Sequence, residues 1–107
     1  MTVNREIMNM SDAIRQAVPA ERIYLFGSYA YGTPGKDSDY DFYVVIPDGS
    51  LRPLEAIQRA RRSLASLNRK TPVDILADYL SRFEDRKEFN TLEKKVHREG
   101  VLLYERA

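Results

Sequence analysis

Gly27-Ser28-Tyr29-Ala30-Tyr31-Gly32 and, a few residues on, Ser38-Asp39-Tyr40-Asp41-Phe42-Tyr43-Val44-Val45-Ile46 decide the fold of this chain. The first stretch is a tight glycine turn that carries a hydroxyl. The second opens on two carboxylates one residue apart and runs into an apolar strand. Side chains alternate faces along a strand, so Asp39 and Asp41 point the same way, with α-carbons roughly 6.6 Å apart. Two carboxylates so placed can converge on a hard cation. A glycine turn offers backbone N–H groups and a hydroxyl to phosphate oxygens. A phosphate cradle beside metal-binding carboxylates is the equipment of phosphoryl or nucleotidyl transfer.

Outward from this stretch, apolar spacing marks the remaining elements. Ile7, Met10, Ile14 and Val18 form one stripe of a helix over residues 4 to 18, which Pro19 ends. Arg22 to Phe26 reads as a short strand, with Ile23 and Leu25 opposite to Tyr24 and Phe26. Residues 28 to 32 suit a single helical turn, and Thr33 to Asp37 a loop. The next strand spans Asp39 to Ile46, with Tyr40, Phe42, Val44 and Ile46 turned toward helices. After the Pro47–Ser50 turn, Ser50 is expected to cap a helix with Pro53 in its first turn. Leu54, Ile57, Leu64 and Leu67 are its expected inward stripe, and Thr71-Pro72 its end. Val73 to Ala77 reads as a third strand on which Asp74 and Leu76 share a face. A charged segment from Ser81 leads into a last helix with Phe89, Leu92 and Val96 inward. Gly100 stops that helix, and Val101 to Tyr104 adds an edge strand. The order αβ(α)βαβαβ predicts a small mixed sheet layered by helices, an α/β (α+β) arrangement in one domain over residues 1–107.

Composition narrows the function. With 107 residues, 43% hydrophobic and 31% charged, the chain is long enough for a modest core and too apolar for disorder. A net charge of +1 gives no reason to expect a general nucleic-acid binder. No cysteine is present, which excludes disulfides and thiolate metal sites. No signal-like start or membrane-length apolar run is present, so a cytoplasmic location is the default. Histidine chemistry has no support, because His97 stands alone on a charged helix.

Gly27-Ser28, ten intervening residues and then Asp39-Tyr40-Asp41 resemble the signature of the minimal nucleotidyltransferases of the DNA polymerase beta superfamily, above all the antitoxin-type members. Pro72-Val73-Asp74-Ile75-Leu76 fits the slot of that family's third carboxylate, and Arg98 to Glu105 resembles its usual C-terminus. The resemblance covers nearly the whole chain. Tyr31 departs from it, because many members carry a basic residue there.

The resemblance implies the polymerase-beta nucleotidyltransferase fold and transfer of AMP from ATP, or of another nucleotide, to a hydroxyl acceptor. It implies two Mg²⁺ ions, with Mn²⁺ as a substitute, held by Asp39, Asp41 and Asp74, which are also the catalytic residues. Gly27, Ser28, Gly32 and Ser38 would contact the nucleotide. Asp78 and Asp37 are rivals to Asp74. Asp78 would share its face if the strand continued, and Asp37 sits in the loop. Lys36 is a candidate to steer phosphates. The partner implied is a HEPN-domain toxin adenylylated on a tyrosine. Two alternatives stay open: a slow or non-catalytic antitoxin-like binding module, and an adenylyltransferase acting on a small molecule of aminoglycoside type. The segment from Leu51 to Lys70 holds Arg52, Arg59, Arg61, Arg62, Arg69 and Lys70 against Glu55. It reads as a solvated helix face, or else as a docking face for an acidic partner or RNA. Oligomeric state is open.

Overall fold

In a computed structural model that describes residues 3–67 and 70–107, the chain forms a four-stranded mixed sheet with helices on both faces. In chain order the elements are α1 (Arg5–Ala17), β1 (Arg22–Phe26), α2 (Ser28–Tyr31), β2 (Tyr40–Ile46), α3 (Pro53–Leu64), β3 (Val73–Tyr79), α4 (Leu80–Arg86), α5 (Leu92–Glu99) and β4 (Val101–Glu105). The sheet order is β3-β2-β1-β4. β1 runs antiparallel to both β2 and β4, while β2 and β3 are parallel and joined through α3. No described helix is long and apolar enough to cross a membrane.

The larger core lies between one sheet face and helices α1 and α3. Ile23 and Leu25 of β1, and Tyr40, Phe42, Val44 and Ile46 of β2, meet Ile7, Met10 and Ile14 of α1 and Ala56, Ala60 and Leu64 of α3. The alternation along β2 turns Tyr40, Phe42, Val44 and Ile46 toward helices, as expected, and Ile23 and Leu25 of β1 share that face. The opposite face carries a smaller core: Tyr24, Tyr43 and Val45 against Phe83 of α4 and Val96 of α5. Tyr24 stacks on Phe83, and Tyr43 meets the same ring edge-on. Asn4 caps α1, its Oδ1 accepting the Ile7 N–H at 2.8 Å.

Several expectations need correction. β2 begins at Tyr40 rather than Asp39, and β3 runs on to Tyr79 rather than stopping at Ala77. Continuous parallel pairing with β2, as far as Ile46 with Tyr79, carries the extra residues. Ser50 does not cap α3: its hydroxyl donates to the Pro47 carbonyl and closes the turn, and Arg52 takes the cap position without a side-chain bond. α3 also ends at Leu64, well before Thr71-Pro72. Leu54 is 65% exposed, because Ala56, Ala60 and Leu64 supply the buried stripe. The charged segment after Ser81 forms two helices, α4 and α5, instead of leading into one. Phe89 in the connection is 62% exposed and Leu92 is exposed, leaving Phe83 and Val96 to fill the core. Arg69 lies outside the described residues.

Candidate functional site

The site lies where β1 ends and β2 and β3 begin. Register places Phe26, Asp41 and Asp74 side by side across three neighbouring strands. Adjacent strands are about 4.8 Å apart, so the Asp41 and Asp74 backbones are immediate neighbours. Both side chains leave the face opposite the larger core, the face that Tyr43 and Val45 share with Asp41. Asp39 lies two residues before Asp41, just outside the strand. There the chain is already alongside the β3 side, since the Tyr40 N–H donates to the Pro72 carbonyl at 3.0 Å.

Gly27 brings the turn onto the carboxylates. Its φ of 78° is in the left-handed region. A Cβ built there would overlap Oδ2 of Asp41. Only a residue without a side chain lets the β1–α2 turn close over that carboxylate. Ser28 follows as the first residue of α2, and among the described residues its hydroxyl has no hydrogen-bond partner. Gly32 closes α2 at φ 81°. Gly27 and Asp41, fourteen residues apart in sequence, are thus in contact in the fold.

Asp39, Asp41 and Asp74 make no hydrogen bond or ion pair among the described residues. Asp41 is raised from its ordinary value to about 6, first by burial, then by the charges of Asp74 and Asp39. Like charge therefore accumulates here without a protein counter-charge. No three His, Cys, Asp or Glu side chains stand already gathered to hold a metal among the described residues. A cation would have to draw the carboxylates in. An all-oxygen donor set suits Mg²⁺ or Mn²⁺, and the unpaired, partly desolvated Asp41 is the group that a cation would relieve. The residues fit a hard divalent ion.

The remaining candidates fall at different distances from this centre. Asp78 does share the face of Asp74, since β3 continues, but it has partners of its own. Its Oδ1 accepts the Tyr79 N–H at 2.8 Å and pairs with Arg82 at 3.5 Å. Asp37 stays in the exposed loop. The Ser38 hydroxyl accepts the Gly35 N–H at 2.7 Å, so it closes the loop, with its own proton left to give. Ser38, Lys36 and Asp37 line a cavity of about 340 Å³ with Tyr29, Lys70 and Thr71.

Two features carry no signal in the sequence. The Tyr43 hydroxyl donates to Glu93 at 2.8 Å, and Arg86 holds the other oxygen of Glu93 at 2.9 Å. This buried link ties the site-bearing strand to α5. The Glu93 carboxylate pushes the Tyr43 hydroxyl above its ordinary range, after burial itself. Separately, Lys95 of α5 sits over the ring of Tyr31, 4.9 Å from its centre. Both join positions 50 or more residues apart, and no local pattern announces either.

A helix-layered mixed sheet with a glycine turn closed on a carboxylate row defines a nucleotide-transferring class of domain. The nucleotidyltransferase domain family matches residues 7–103, and the chain belongs to that family. No curated protein matches it. Among solved structures it resembles a toxin–antitoxin complex crystallised with AMP-PNP, at 24% identity over 92% of this chain and 73% of the other, with TM-score 0.59. It also resembles a protein of Sulfolobus solfataricus described as a nucleotidyltransferase (21% identity, 92% and 77% covered, TM-score 0.62). A third is the toxin–antitoxin MntA–HpeT carrying two aspartate-to-glutamate changes (21% identity, 97% and 75% covered, TM-score 0.58). At these identities the likeness establishes the fold.

Proposed function

We propose that this chain is the nucleotidyltransferase partner of a toxin–antitoxin pair, moving AMP from ATP to a tyrosine hydroxyl of a HEPN-domain protein. The observation that carries the reading is the closure of Gly27 onto the Asp41 carboxylate, with Asp74 in register beside it. That contact brings the Gly-Ser turn and the Asp41 carboxylate, with Asp74 beside it, to one place, where they would serve phosphate and metal. Two of the structural neighbours being toxin–antitoxin complexes, one with a bound ATP analogue, supports the partner and the nucleotide.

Asp39, Asp41 and Asp74 would hold Mg²⁺ or Mn²⁺. Bound there, divalent ions supply charge neutralisation for the leaving pyrophosphate and acidify the attacking hydroxyl. The chain's own groups do the rest. Gly27 keeps the turn bare, so phosphate oxygens can reach backbone. Ser28 donates its unpartnered hydroxyl to a phosphate oxygen. Asp74 is the most exposed of the three carboxylates, on an edge strand, and faces the side from which an acceptor can arrive. Its carboxylate takes the proton of the attacking hydroxyl. The P–O bond to the acceptor forms as the bond to pyrophosphate breaks, and AMP ends on the acceptor oxygen.

The test is to mix the chain, Mg-ATP and the protein encoded beside it, and read intact masses. A partner heavier by one AMP on a tyrosine, absent with Asp41→Asn, is expected. An unmodified partner with rapid adenylylation of an aminoglycoside by the chain alone would overturn the reading.

A further inference from the structure

One group of cations has no place in the site as described. Lys94, Lys95 and Arg98 of α5 make no ion pair among the described residues, whereas Arg86 and Lys87 nearby are paired with Glu93 and Glu84. The three border a cavity of about 290 Å³ together with Asn90, Thr91 and Glu99. Lys94 and Arg98 also border an adjoining cavity of about 360 Å³ with Lys87, Glu88 and His97. Unpaired cations repel one another, so their collection around open space favours an anion there.

Lys95 gives this group a direction. Val96 packs α5 onto the sheet beside Tyr24 and Tyr43, and the next side chain back, Lys95, reaches over Tyr31. Tyr31 is the last residue of α2 and Ser28 the first. Lys95 therefore meets the C-terminal end of the same single helical turn whose N-terminal end carries Ser28. The ring face fixes the direction of the lysine arm but accepts no conventional hydrogen bond, so the three donors of the ammonium stay available.

We propose that Lys95, backed by Lys94 and Arg98, forms a second anion subsite that receives the outer phosphates of the nucleoside triphosphate. The inference rests on the nucleotidyl-transfer reading above and adds to it a site of recognition on α5. A triphosphate would extend from the Asp41–Gly27 turn, across α2, to the α5 lysines. AMP, lacking the outer phosphates, would not reach them. After transfer the same cations hold pyrophosphate.

The experiment is calorimetric titration of ATP and of AMP, at fixed Mg²⁺, into the wild-type chain, Lys95→Met and Lys95→Arg. Thermal unfolding of each variant checks the fold. Lys95→Met should weaken ATP binding about tenfold, the cost of one charge-assisted bond, and leave AMP binding unchanged. Lys95→Arg should retain most of the ATP affinity. Wild-type ATP affinity in Lys95→Met overturns the subsite while leaving the nucleotidyl-transfer reading intact. Equal weakening of ATP and AMP also overturns it, since that marks a general disturbance of the turn. Failure of the wild-type chain to bind ATP at all removes both.

Discussion

Asp41 combines three physical constraints in one side chain: partial burial, a glycine turn against its carboxylate, and two further aspartates in range. Its folded-state value of about 6 lies above the unfolded one. Such a group contributes stability that is fully present below the unfolded value and lost as pH rises through about 6. With chelator present, unfolding free energy should therefore fall between pH 4 and 7 in the wild type and stay flatter in Asp41→Asn, as measured by denaturant unfolding. Mg²⁺ should raise the wild-type melting temperature at pH 7.5 and have little effect at pH 4. AMP transfer should vanish in both Asp39→Asn and Asp41→Asn, and near wild-type transfer in either would remove the metal role. Gly27→Ala should lose both transfer and stability, because a Cβ there meets the carboxylate in a strained backbone region. Asp74→Ala should abolish transfer. Asp78→Ala, which loses the Tyr79 and Arg82 contacts, should leave transfer largely intact. A reversal of the last two would move the working carboxylate along β3.

At the scale of elements, α5 and β4 are fixed by close backbone approach. A Cβ at Gly100 would overlap the Val96 carbonyl oxygen and come within 2.9 Å of the Leu25 carbonyl oxygen. Both obstacles are backbone and cannot rotate aside. Gly100→Ala should cost about 1–3 kcal/mol by the usual measure of overpacking, read by urea unfolding. Thr91 caps α5, its hydroxyl accepting the Lys94 N–H at 3.2 Å. Thr91→Ala should cost about 1 kcal/mol. Phe83, fully buried between Tyr24 and Tyr43, holds α4 on the site-bearing face. Its truncation to alanine should cost about 3–5 kcal/mol.

The whole molecule leaves its carboxylate face open along the β3 edge, where Asp74 and Leu76 are exposed. A second protein can present a hydroxyl there, and positioning of this kind is worth orders of magnitude in rate. Under the proposed function, the chain alone should bind Mg-ATP yet transfer AMP poorly to water or small alcohols, and the partner should restore transfer. The basic segment is not one uniform face. Arg59 pairs with Glu55, and Arg61 turns away to donate to the Val73 carbonyl at 3.4 Å. Arg59 and Arg62 share a cavity with Ala17 and Ser63. Reversing the charges of Arg59 and Arg62 should weaken partner transfer and spare ATP binding if this surface docks the partner. Unchanged partner transfer would place docking elsewhere.

Alternation and turn chemistry were enough to determine, from the sequence alone, which residues of β1 and of β2 share a face, and the α/β layering. These are local properties, fixed by the two-residue repeat of a strand and the steric demands of glycine and proline. Only the tertiary structure decided that Asp74 lies in register beside Asp41, since parallel pairing is set by how α3 packs and returns the chain. It alone exposed Leu54 and Phe89, because alanines on α3 and Phe83 on α4 had already filled the available volume. It alone brought Gly27 against Asp41, Glu93 under Tyr43 and Lys95 over Tyr31. Such contacts depend on the packing of whole elements, which no short stretch of sequence specifies.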